Sequence, residues 1–154
     1  MAQLWTEKRV VISPDAQTLA SAVAGRLLER LARRSGAGKT SHVLLTGGVI
    51  GTAVLRAAGA SPARTKVDWS TVHLWWGDEL FLPASDPERN DVRAHRALID
   101  HIDIRAENVH AMAGADSGVD MAAAAEAYAG ELAMFAADDQ EWPCLLYTSD
   151  AADE

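Results

Sequence analysis

Two acids, Asp78 and Glu79, stand one glycine past a compact apolar run, Val72-His73-Leu74-Trp75-Trp76. A carboxylate delivered at the end of a strand can orient a hydroxyl of a bound ligand or take part in proton transfer. The plainer alternative is a solvated loop acid or a helix cap. Position favours chemistry: in open α/β sheets, ligands bind outside the carboxyl ends of the strands, in loops that a rigid sheet holds in place. A proline-containing loop follows and ends at Arg89 and Asn90. The Arg89 guanidinium suits a phosphate or a pairing with Asp78, or it is a surface charge near a helix start, where a cation is slightly unfavourable. Asn90 reads first as a helix N-cap and second as a ligand.

A second group is Thr46-Gly47-Gly48, which ends an apolar strand and opens a helical pattern. Paired glycines let a backbone approach a ligand, and free amides at a helix start bind phosphate; a plain tight turn also uses Gly-Gly. With Asp78 the turn suggests one wall of a sugar-phosphate site. Dinucleotide binding fits poorly. The glycines read G-G-x-x-G through Gly51, and Asp68 precedes a strand where a ribose-binding acid should follow one. The five histidines, His42, His73, His95, His101 and His110, have no metal-ligand spacing, and none reads as the general base. No G-x-S-x-G nucleophile motif occurs. The Trp75-Trp76 pair reads most simply as core, with one ring available to line a pocket.

The elements that must position these groups alternate. Val10-Val11-Ile12 reads as a first strand. Ser13-Pro14-Asp15 reads as an N-cap, a first-turn proline and an acid, opening a helix with Leu19, Val23, Leu27 and Leu31 as its stripe and Gly36 as its stop. His42 to Leu45 is a second strand, Val49 to Ala58 a short helix and Thr71 to Trp76 a third strand. Bulk on both faces of that strand predicts cover on two sides. Asn90 to Asp100 reads as a helix with Val92, His95, Ala97 and Leu98 inward. Val109 to Met112 holds a short strand, and Met121 to Ala137 is alanine-rich and helical, with Tyr128, Leu132 and Phe135 buried. Leu145-Leu146-Tyr147 begins a fourth strand. This order predicts a Rossmann-like α/β fold, a mostly parallel sheet with helices on both faces.

The 154 residues fit one domain. The net charge is 14 minus 22, or −8. That lacks the basic face which nucleic acid or an anionic membrane requires. One cysteine, Cys144, excludes an internal disulfide and a thiolate metal cluster. The start shows no apolar signal core, and no run approaches the roughly 18 apolar residues that span a membrane. A cytoplasmic protein is the expectation.

Residues 67–112 resemble the 6-phosphogluconolactonases, sugar-lactone hydrolases of the pentose phosphate pathway. The resemblance rests on D-W-S-T-V-H-L-W-W-G-D-E-L-F-L-P at 68–83, D-P-E-R-N-D-V at 86–92 and A-E-N-V-H-A-M at 106–112. The Thr46-Gly47-Gly48 turn fits in register, and weaker similarity runs from about Val10 to about Pro143. The related glucosamine-6-phosphate isomerases and deaminases share the strand-end Asp-Glu but not this tryptophan-rich wording. The resemblance implies hydrolysis of the ring ester of 6-phosphogluconolactone, with no metal and no nucleotide cofactor. It implies that Gly47 and Gly48 hold the phosphate and that Asp78 is the catalytic acid. Glu79, Arg89 and Asn90 would be the substrate-binding residues beside it.

Three departures matter. Leu80 stands where the family usually has Arg, which removes a guanidinium from the substrate side. Val49-Ile50 follow the glycine turn where small polar residues are common. The family's G-x-G-x-D-G-H loop, whose His is the proposed general base, occurs nowhere in these residues. Residues 144–154, C-L-L-Y-T-S-D-A-A-D-E, resemble translated sequencing-adapter read-through. The expectation is therefore an N-terminal piece of one hydrolase domain over residues 1–143, truncated at its C-terminal side and inactive alone, followed by a non-native tail. An amino-sugar phosphate isomerase or deaminase, or a non-catalytic sugar-phosphate binder, are the alternatives. Oligomeric state is not legible.

Overall fold

Asp15, rather than Ser13, starts the first helix of the computed structural model, which describes residues 10–138. Its carboxylate accepts the Thr18 amide at 2.7 Å and the Thr18 hydroxyl at 3.0 Å. The helix, α1, spans Ala16–Gly36 and buries Ala20, Ala24, Leu28 and Leu31. Val23, expected in that stripe, lies at its margin and is 40% exposed. The expected strand at Val10–Ile12 is not formed. Among the described residues no strand pairs with it, and Val10 and Ile12 stand exposed, because a β-branched run with no neighbour has no ladder to join.

Three parallel strands follow, β1 (Ser41–Leu45), β2 (Val72–Trp76) and β3 (Val109–His110), in the order β1-β2-β3. Ser41 lies opposite Val72 and Leu45 opposite Trp76, so the two longer strands end level. β3 meets only Leu74 and Trp75. Helix α2 (Gly48–Ala60) links β1 to β2. Helix α3 (Asn90–Ala97) lies between β2 and β3, and α4 (Met121–Asp138) follows β3.

The helices divide between the two faces. Val72, Leu74 and Trp76 join Leu28, Leu31, Leu55, Ala58, Ala94 and Leu98 in one core under α1, α2 and α3. His73 and Trp75 point the other way, against Phe135 and Tyr128 of α4. This agrees with the two-sided cover expected of the third strand. α3 is shorter than expected, since Leu98 leaves helical geometry and Ile99–His101 form a separate 3-10 turn. Its inward residues are Asp91, Ala94 and Ala97, while Val92 and His95 are half-buried. The one-residue offset follows from a polar anchor at Asp91, which takes the inward position that apolar periodicity gave to Val92. The fourth strand at Leu145–Tyr147 and the 144–154 tail lie outside the described residues.

β1 is one of the two edge strands among the described residues. An apolar groove of about 810 Å³ runs along it between α1 and α2, lined by Leu27, Val43, Val54 and Ile50 among others. No described helix is long and apolar enough to cross a membrane.

Candidate functional site

Because β1 and β2 end level, their following loops emerge side by side. The Gly77 amide donates to the Leu45 carbonyl at 3.2 Å, carrying the pairing one residue past the strands. Thr46-Gly47-Gly48 leaves β1, and Gly77-Asp78-Glu79 leaves β2.

Asn90 joins the two loops. Its amide Nδ2 donates to the Asp78 carbonyl at 3.2 Å. Its Oδ1 lies where Gly47 would carry a side chain: a β-carbon there would stand 2.2 Å away. Gly47 is thus glycine because Asn90 fills its space. Gly48 is glycine because its φ is +79°, a left-handed conformation that side chains disfavour. Gly47 caps α2 without a side-chain bond, so the first amides of that helix carry no side-chain acceptor. That end bears the positive pole of the helix. Asp78 is exposed, and its carboxylate takes no hydrogen bond among the described residues. The structure thus brings the Asp78 loop, Asn90 and the Gly47-Gly48 turn together at the carboxyl ends of β1 and β2.

Asn90 is not the N-cap. It is the first residue of α3, Arg89 holds the cap position, and the Arg89 side chain makes no cap bond. The cap comes from Glu79. One carboxylate oxygen accepts the Asn90 amide and the other the Asp91 amide, both at 2.8 Å. The Leu80 amide adds a third bond at 2.8 Å. The Glu79 side chain is 2% exposed, so it faces protein rather than the open cleft.

Arg89 is likewise turned inward, at 1% exposure. Its Nε and Nη2 form a bidentate pair with the Asp91 carboxylate, each bond 3.0 Å. Nη1 reaches the Leu80 and Leu82 carbonyls, and Nη2 also reaches Met112 at 2.6 Å. All five N–H donors are used within the protein. The Asp91 bonds, helped by the nearby Glu79 and Asp116 charges and opposed by burial, raise its pKa further. The surface-charge reading of Arg89 is therefore overturned. Its pairing is with Asp91 rather than Asp78, because the loop turns the side chain under the chain instead of out to solvent. Leu80 is 50% exposed beside Asp78.

The histidines that lie together do so elsewhere. His42, His73 and His110, one from each strand, stack under α4, with ring centroids 4.8 Å apart for the first two and 5.2 Å for the last two. Trp75 lies flat on His110 at 3.7 Å. His73 Nδ1 meets His110 Nε2 at 2.9 Å, and His110 Nδ1 meets the Glu131 carboxylate at 2.5 Å. Burial, then the neighbouring His42 and His110 charges, push His73 down to about 4. This row sits on the sheet face under α4, between the strands rather than at their carboxyl ends. Among the described residues, no group of three or more His, Cys, Asp or Glu side chains is arranged to hold a metal ion, this row included.

The parallel sheet with helices on both faces and a glycine turn at its carboxyl edge define a Rossmann-like α/β domain. The family model "Glucosamine-6-phosphate isomerases/6-phosphogluconolactonase" matches residues 14–147, and the chain belongs to this family. It is 45% identical over 127 residues to a 6-phosphogluconolactonase of Streptomyces coelicolor, covering 81% of this chain and 49% of the relative. Two solved structures share the fold at a TM-score of 0.67. A 6-phosphogluconolactonase from Trypanosoma cruzi is 18% identical, with 84% of this chain and 51% of that one covered. A monomeric glucosamine-6-phosphate deaminase is 13% identical, with 83% and 51% covered. The chain spans about half the length of the curated relative it matches.

Proposed function

We propose that this chain forms the phosphate-and-acid side of a lactonase site that hydrolyses 6-phosphogluconolactone to 6-phosphogluconate. One observation carries the reading: Asn90 ties the Asp78 loop to the Gly47 turn, leaving a free carboxylate beside uncapped helix amides. The amides at Gly47 and Gly48 suit the substrate phosphate, where the helix pole adds attraction. Anchoring that phosphate holds the lactone for attack. Water must then add to the ester carbonyl, a base must take its proton, and donors must steady the oxyanion. The Asp78 carboxylate suits contact with the sugar ring or with the attacking water. The bonds of His73, His95, His101 and His110 run to His110, Asp100, the Arg96 carbonyl and Glu131 rather than toward Asp78, which supports a base drawn from elsewhere.

The G-x-D-G-H stretch that the resemblance gives that role is not among these 154 residues. The polypeptide alone is therefore expected to bind the sugar phosphate weakly and to turn it over little. No metal and no nucleotide enters this scheme, and the ligand is a small sugar-phosphate lactone. The test has two arms. Titration with 6-phosphogluconate, followed through the Gly47 and Gly48 amide resonances, should shift those two first; no shift at millimolar ligand removes the phosphate assignment. Lactone hydrolysis should stay near the spontaneous rate, and clear turnover would show that the base lies within these residues. Ammonia release from glucosamine 6-phosphate would move the reading to the deaminase branch.

A further inference from the structure

Glu79 carries the feature that the cleft chemistry leaves unexplained. It is an acid at the end of a strand, yet its side chain is buried and bonded to backbone amides. Its two oxygens accept three backbone amides, from Leu80, Asn90 and Asp91. Two of these are the opening amides of α3, a helix whose own cap residue offers no side-chain bond. A helix start that lacks its own cap needs an acceptor from elsewhere, and a carboxylate there gains from the helix pole as well. Glu79 also lies one residue past Asp78, whose carbonyl holds the Asn90 side chain. The same acid therefore fixes where α3 begins and how far Asn90 stands from the Asp78 loop.

Arg89 secures the acid from behind. Its Nη2 lies 4.0 Å from the Glu79 carboxylate, and its bidentate partner Asp91 is itself anchored by the Glu79 bond to the Asp91 amide. A buried guanidinium between two carboxylates supplies the counter-charge that such burial requires.

We propose that Glu79 is a positioning residue for the cleft. By starting α3 at Asn90, it wedges the Asn90 side chain between the Asp78 loop and the Gly47 turn, with Arg89 as the counter-charge. This rests on the proposed reading of the cleft as a sugar-phosphate site, but the mechanical coupling is separable from it. The coupling predicts that Glu79 communicates with Gly47 and Gly48, residues it does not touch, through Asn90.

The test uses amide resonances and hydrogen exchange on the 154-residue chain. In Glu79→Ala, exchange at Leu80, Asn90 and Asp91 should rise at least about tenfold, as expected when charge-assisted bonds are lost from a local unit. The Gly47 and Gly48 resonances should move at the same time, while core amides such as Leu28 and Ala58 keep their protection. Glu79→Gln, which retains one acceptor oxygen, should show a smaller version of both effects, and it serves if the alanine variant fails to fold. Asn90→Ala should move the Gly47 and Gly48 resonances yet leave the Leu80 and Asp91 amides protected. Unmoved glycine resonances in both Glu79 variants would reduce the acid to a helix cap and overturn the proposal. A uniform loss of protection across the core would also overturn it, as a merely structural role. Phosphate titration of the unsubstituted chain decides the ligand reading separately: glycines that ignore phosphate but respond to Glu79→Ala leave the coupling intact and remove the anion site.

Discussion

The Tyr128 hydroxyl closes on both polar groups of one residue. It accepts the Trp76 amide at 2.8 Å and donates to the Trp76 carbonyl at 3.1 Å. β3 ends at His110, which pairs with Trp75, so the ladder on that side of β2 runs out at Trp76. A helix side chain adds polar partners where the ladder ends. Burial, together with the Glu131 charge and against the Trp76 bond, raises the pKa of the phenol, so the hydroxyl keeps its proton and can donate. Tyr128→Phe keeps the ring and removes a hydrogen-bond partner from both the Trp76 N–H and the Trp76 C=O. At about 1–3 kcal/mol for a buried group left unsatisfied, the variant should lose about 2 kcal/mol or more of unfolding free energy. Urea denaturation measures it; an unchanged midpoint would mean that another group reaches Trp76.

The histidine row gives a pH dependence with a definite sign. His73 ordinarily titrates at 6.5 and is held at about 4 in the fold by burial and by its neighbours His42 and His110. Above 6.5 it is neutral in both the folded and the unfolded chain and contributes no slope. Between 6.5 and about 4 the unfolded chain takes up a proton that the fold refuses, so stability falls as pH falls through that window. His73→Gln should flatten this limb of the stability profile. The partners facing it are His42, His110 and, through His110, Glu131. Thermal melts from pH 7 down to pH 4 check the slope.

Local pattern explains why some of this was legible and some was not. β2 announced itself through bulk at every position, and α4 through its alanine content, because both signals are written in consecutive residues. The meeting of the Asp78 and Gly47 loops was legible for the same reason: each loop interrupts an apolar run at its end. The placement of Arg89 was not, because its five donors find acceptors contributed by residues from Leu80 to Met112, and no short window contains that constellation. Glu79 hid its role by capping a helix that begins only after a long loop. One signal did exist: Arg89 is a poor cap residue, so an acceptor had to come from another segment. The row of histidines is invisible in sequence because strand register assembles it.

The groove beside β1 has consequences for handling. Val23 and Ile50 on its rim are 40% and 41% exposed, and nearby Val49 is 87% exposed. An apolar channel along an open parallel edge invites association. The chain should bind a hydrophobic dye and associate as concentration rises. Val23→Glu combined with Ile50→Glu should reduce both, with little change in the denaturation midpoint. Dye fluorescence and light scattering at matched concentrations decide this; a monomer with no dye binding before substitution would show the channel to be covered.

The last prediction concerns two residues that share one volume. Gly47→Ala places a methyl group 2.2 Å from the Asn90 oxygen, so either the side chain or the turn must shift. Overpacking of this kind costs about 1–3 kcal/mol. Asn90→Ala removes the obstacle and, with it, the bond to the Asp78 carbonyl. In that background Gly47→Ala should cost less, because the φ of −75° at Gly47 is one that alanine adopts readily. The two substitutions should therefore be non-additive, the double variant being more stable than the sum of the singles implies by about 1 kcal/mol or more. Binding should not recover with stability, since the double variant has lost the amide that links the two loops. A double-mutant cycle read once by denaturation and once by 6-phosphogluconate titration separates these effects. Additive denaturation energies would mean that Asn90 does not occupy the space above Gly47 in solution.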